Sequence, residues 1–169
     1  MRLSFQKLGD RFQHQIAPAS TGCTPILLSN EGTADDLWPA SPVLQSLHIE
    51  SRPGGIQAAL LVGTAGRSHW SMSVETDPSK NRFVFDIACR IHDSPDWLGS
   101  TYSAVNRPAE ASAFNYLRLE PQIGDRGISD CKIQINERAG VLQIAPPVSR
   151  QIGSQTIRWS YAIGPAIDA

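Results

Sequence analysis

Apolar and polar positions alternate with period two along most of this chain. That is the spacing of strands with one wet face, and it differs from the 3.6-residue spacing of a helix. Residues 67–75 alternate strictly, with Trp70, Met72 and Val74 on one side and Arg67, His69, Ser71, Ser73 and Glu75 on the other. Residues 82–92 place Phe83, Phe85, Ile87, Cys89 and Ile91 on one face; Arg82, Asp86, Arg90 and His92 share the other with Val84 and Ala88. Turn-forming residues at 76–81 join the two as a hairpin. A second hairpin is expected from 43–51 and 56–64 around Pro53-Gly54-Gly55. In it Val43, Gln45, Leu47 and Ile49 share a face, Leu47 opposes Leu60 and Ile49 opposes Ala58. A third pairs 131–136 with 141–145 across 137–140, setting Ile135 against Leu142 and Ile133 against Ile144. Residues 116–120 and 156–163 read as further strands.

These elements predict one domain over 1–169: an all-β, antiparallel β-sandwich or flattened β-barrel of about nine or ten strands with little helix. Residues 1–20 are expected at the periphery. Residues 17–42 read mostly as loop, with a short apolar piece at 25–28. Pro95, Gly99 and Pro108 break up 93–115, which is expected as a long irregular loop with a short helix around 109–116. Connections of that length are often functional.

Period-two geometry restricts the 67–92 hairpin to registers of one parity. Setting Val74 against Phe83 also sets Glu75 against Arg82, Ser71 against Asp86 and Arg67 against Arg90. His69 then lies diagonal to Asp86, and it opposes Asp86 directly in the neighbouring allowed register. Two arginines face to face are unfavourable unless an anion, a carboxylate or a bend relieves them. Arg67, His69 and Arg90, steadied by Asp86, are therefore candidates for an anionic or polar ligand. The structural alternative has the arginines splayed into solvent, or paired with Asp93, Asp96 or Glu110.

A hydrolytic cluster can also be written, with Ser71 or Ser100 as nucleophile, His69 as base and Asp86 as orienting carboxylate. No G-x-S-x-G elbow accompanies it. Trp97 and Tyr102, in the irregular segment, could stack on a ligand or could anchor the loop to the core. Trp70 and Trp159 read as core, and so do Cys89 and Cys131 on apolar faces. Cys23 sits in a loop. The string GTAG at 63–66 lacks the lysine and following helix of a phosphate loop. The spacing of His14, His48, His69 and His92 matches no metal motif, so neither metal nor cofactor is expected.

Composition narrows the classes further. Lysine and arginine number 15 against 16 aspartates and glutamates, a net charge of -1, so a nucleic-acid partner is not expected. The 13 glycines and 12 prolines show no period and fit a turn-rich fold. Three cysteines without C-x-x-C imply neither a disulfide framework nor a zinc site. No apolar run has signal-peptide or membrane-span length, so a cytoplasmic protein without a membrane partner is expected. The leading expectation is a non-catalytic module binding a small polar or anionic ligand or a protein partner. A homo-oligomeric assembly protein comes second and the hydrolase third.

Overall fold

Alternation gives each strand one apolar face, and two such sheets bury those faces against each other. A computed structural model describes residues 1–18, 26–105, 114–124, 127–128, 131–147 and 153–166. The strands in chain order are β1 (Arg2–Leu8), β2 (Arg11–Ala17), β3 (Ile26–Ser29), β4 (Ser46–Arg52), β5 (Ile56–Ala65), β6 (Ser68–Asp77) and β7 (Arg82–Ile91). They continue as β8 (Ser100–Val105), β9 (Leu117–Pro121), β10 (Ile123–Gly124), β11 (Gly127–Ile128), β12 (Lys132–Asn136), β13 (Val141–Ala145) and β14 (Gln155–Pro165).

One sheet runs β1-β2-β3-β8-β13-β12 and the other β4-β5-β6-β7-β14-β9, with every pairing antiparallel; β10 and β11 form a separate small ribbon. Both large sheets keep two edge strands, so the fold is a sandwich and the closed-barrel alternative is excluded. The core draws Ile16, Leu27, Tyr102, Leu142 and Ile144 from the first sheet. The second supplies Leu61, Trp70, Phe85, Ile87, Trp159 and Tyr161. Phe85 stacks on Tyr161 with ring centroids 4.9 Å apart, and Trp70 meets Trp159 edge-on at 6.3 Å.

The expected faces of β6 and β7 are the observed ones, but the register is slid by two residues. Val74 faces Phe85, Met72 faces Ile87 and His69 faces Arg90. Thr76 and Asp77 extend the ladder, and Asp77 closes it by accepting hydrogen bonds from Arg82 Nε at 2.9 Å and Ser79 Oγ at 2.5 Å. The β4–β5 register also differs from expectation, by one residue. Leu47 faces Leu61 and Ile49 faces Ala59, because the turn uses three residues, Pro53–Gly55, with positive φ at both glycines. Strand β4 begins only at Ser46, and Ile49 is 58% exposed at the sheet edge. The β12–β13 hairpin has the expected register, Ile133 against Ile144 and Ile135 against Leu142.

Strand β1 is a largely exposed edge strand, while β2 reaches into the core. They form the β1–β2 hairpin, whose Ile16 and His14 are buried. Within 93–115 lies the central strand β8. The helix expected around 109–116 falls largely outside the described residues, and 114–116 is a turn. In GTAG, Gly63 sits where the chain before β4 crosses β5: a Cβ there would lie 2.3 Å from Val43 O. Gly66, at φ 53°, opens the two-residue turn between β5 and β6.

Candidate functional site

The solvent face of the β4–β9 sheet collects most of the sequence-predicted residues. Reading across β5, β6, β7 and β14, one row is Thr64, His69, Arg90 and Thr156, and the next is Val62, Ser71, Ala88 and Arg158. The third is Leu60, Ser73, Asp86 and Ser160. His69, Ser71, Asp86, Arg90 and Arg158 are all exposed. Arg158 lies diagonal to Arg90 across the β7–β14 ladder, a Cα separation of ~7–8 Å. A shallow depression beside this cationic row is lined by Leu60, Val62, Ser71, Asp86, Ala88 and Arg158.

Further along the same face the charges cancel. Arg52 bonds Glu50 at 2.6 Å and also pairs with Glu75. Arg82 bridges Asp77 at 2.9 Å and Glu120 at 2.7 Å, and Arg118 reaches Glu120 at 2.5 Å. Among the described residues, neither Arg90 nor Arg158 has a carboxylate within ion-pair distance.

Arg67 leaves the predicted cluster. It sits in the β5–β6 turn and pairs with Asp93 at 3.7 Å, one of the structural alternatives named for it. The expected Arg67–Arg90 opposition does not form. His69 and Asp86 stand four positions apart along the ladder, ~13 Å, so they form no dyad. Ser71 opposes Ala88, and Ser100 is buried in the other sheet. The hydrolytic cluster is therefore not assembled. Trp97 donates Nε1–H to Ala40 O at 3.0 Å and anchors its loop. Tyr102 is fully buried on β8, a core residue and not a loop aromatic. Cys89 is buried, its thiol pushed up to about 12 by desolvation. Cys131 is buried with Sγ 3.5 Å from Ser160 O. Cys23 lies outside the described residues.

A second polar constellation, not anticipated from the sequence, lies between the sheets. The Tyr102 hydroxyl is 2.8 Å from His14 Nε2 and 2.7 Å from the Tyr161 hydroxyl. Rings of Phe5, Phe85 and Tyr102 surround His14, and burial pushes its pKa down to about 3, so it is neutral. Ser29 Oγ accepts the His14 N–H at 2.9 Å and donates to the Glu31 carboxyl. Desolvation pushes Glu31 up to about 7, against the opposing pull of Ser29 and Arg11. Arg11, 3% exposed, donates Nη1–H to Glu31 O at 2.8 Å and Nε–H to Asp10 at 3.0 Å. These bonds tie β2, β3, β8 and β14 together. The only sequence signal was His14 itself, a polar residue at an inward position of an alternating run.

Among the described residues no group of three or more histidines, cysteines and carboxylates could hold a metal ion, and no helix is long and apolar enough to cross a membrane. Comparison with known protein families, curated proteins and solved structures finds no match for this chain.

Proposed function

We propose that this chain is a non-catalytic β-sandwich binding module that takes a polar anion on the solvent face of the β4–β9 sheet. The support is that His69 faces Arg90 across the β6–β7 ladder and Arg158 lies diagonal to Arg90 in the next row of the same face. Hydroxyls of Thr64, Ser71 and Thr156 flank them, and among the described residues no carboxylate pairs with either arginine. Guanidinium groups fit carboxylate and phosphate oxygens through paired N–H donors. Beside the row, exposed Val62 and half-buried Leu60 offer apolar contact to the ligand's body. Binding without turnover is favoured because His69 and Asp86 are apart and Ser100 and Cys89 are sealed in the core. The free, buried thiol of Cys89 favours a reducing compartment such as the cytoplasm.

Calorimetric titration with citrate tests the proposal. Saturable binding to the wild-type chain, weakened about tenfold or more in the Arg90→Ala/Arg158→Ala double variant, supports it. Equal binding by the folded variant, or none by the wild type, overturns it.

Self-association is a second reading, favoured by Ile49, which is 58% exposed on the open edge strand β4. A sedimentation mass that doubles with concentration supports it, and a monomer throughout removes it.

A further inference from the structure

At the far end of the same sheet face, strands β7, β14 and β9 enclose a cleft that the anion row does not reach. Its floor is Ala162 and Gly164 of β14, and its walls are Lys80, Arg82, Arg118 and Glu120, with Pro165 at the rim. The cleft exists because residue 164 has no side chain: Gly164 lies opposite Arg118, and a Cβ on it would stand 3.0 Å from Arg82 Cβ. Arg82 is held down, with its side chain 12% exposed, by Asp77 on Nε and Glu120 on Nη1. Glu120 Oε1 accepts from Arg118 Nε and Oε2 from Arg82 Nη1.

We propose that this cleft is a binding site for a small polyhydroxylated carboxylate of sugar size, such as a hexuronate. Three features select that class. First, Lys80, Arg82 and Arg118 against Asp77 and Glu120 leave one net positive charge, which matches a monoanion. Second, a carboxylate offers about four lone-pair positions. Glu120 uses one on each oxygen for its arginines and keeps the rest to accept hydroxyl protons. Third, the Ala162 methyl, the bare Cα of Gly164 and the Pro165 ring give the carbon-bound face of a sugar ring an apolar surface to lie on. A bare anion would use the first feature alone, and a neutral sugar only the other two. The ammonium of Lys80, in the β6–β7 turn, and the exposed Arg118 guanidinium bind the ligand carboxylate. Glu120 binds its hydroxyls.

The test is amide-resolved NMR titration of the full chain with sodium glucuronate at fixed ionic strength, with glucose and acetate as matched controls. The expected result is saturable shifts at Lys80, Arg118, Ala162 and Gly164 with glucuronate, and affinities about tenfold or more lower for both controls. Lys80→Gln, a change in an exposed turn, should weaken glucuronate several-fold with the remaining spectrum intact. Arg90→Ala/Arg158→Ala should leave this binding unchanged, which separates the cleft from the anion row. Shifts confined to His69, Arg90 and Arg158 would overturn the assignment. So would acetate or glucose binding as tightly as glucuronate, or no saturation at all.

Discussion

His69 stands directly opposite Arg90 across the β6–β7 ladder, and both side chains reach solvent. Arg158 is the next cation on the same face, brought there by β14 from some seventy residues further along the chain. A half-neutralised sheet face therefore ends in a row of nitrogen donors. Exposed charges of this kind interact over roughly 10 Å at 0.1 M salt, so binding to the row should weaken steeply as salt rises.

Arg67→Ala is expected to change anion affinity less than about twofold, because Arg67 lies in the turn beyond the row and is already matched by Asp93. Arg90→Ala alone should cost several-fold. Parallel citrate titrations of the two variants check the contrast.

Stability should respond to pH through two buried groups of opposite sign. Glu31 rises from 4.5 to about 7 on folding, so its contribution is full below pH 4.5 and is lost as pH climbs toward 7. His14 falls from 6.5 to about 3, so its contribution is full above pH 6.5 and is lost as pH drops toward 3. Between pH 4.5 and 6.5 the two slopes cancel and the wild-type chain should show a plateau. Glu31→Gln removes one of them. Its stability should then rise with pH across that window by about 1.4 kcal/mol per unit. Urea denaturation at four or five pH values reads this out; a flat variant profile would show that His14 is not the compensating group.

Tyr102→Phe strands His14 Nε2 and the Tyr161 hydroxyl inside the core and should cost about 1–3 kcal/mol. Tyr116→Phe is the control. Its hydroxyl is buried with no partner among the described residues, so removing it should be neutral or slightly stabilising. Denaturation midpoints at one pH compare the pair.

Gly63→Ala should destabilise by about 1–3 kcal/mol or more, since the new methyl meets Val43 O and the chain before β4 must move. Gly9→Ala has open space around it and only a positive φ to tolerate, so its cost should be nearer 1 kcal/mol. Thermal unfolding of both variants ranks them.

The strand faces of β6, β7, β12, β13 and β14 were legible because alternation reports burial directly; β5 is apolar on both faces, and Ala59 and Leu61 face the core where Ala58 and Leu60 were expected. Registers depend on turn chemistry instead. The four-residue turn before Val141, ending in Gly140 at φ 66°, could be read correctly. The Asp77–Arg82 closing pair and the three-residue Pro53–Gly55 turn could not, because each shifts the ladder without altering the pattern. Strand β2 escaped notice because His14 and Arg11 are buried polar residues in it, and their hydrogen bonds come from strands distant in sequence. Tyr102 looked like a loop residue because Gly99 and the prolines around it obscured β8. Of the candidate site, His69 and Arg90 were legible as neighbours on one face. Arg158 was not, since only the pairing of β14 with β7 places it there.

The most direct measurement is an amide-resolved NMR titration of the chain with citrate. The expected shifts cluster at Thr64, His69, Ser71, Ala88, Arg90, Thr156 and Arg158, and they saturate together with one affinity that falls as salt is added. Absence of saturation, or shifts centred away from the His69–Arg90–Arg158 row, would contradict the anion-binding role.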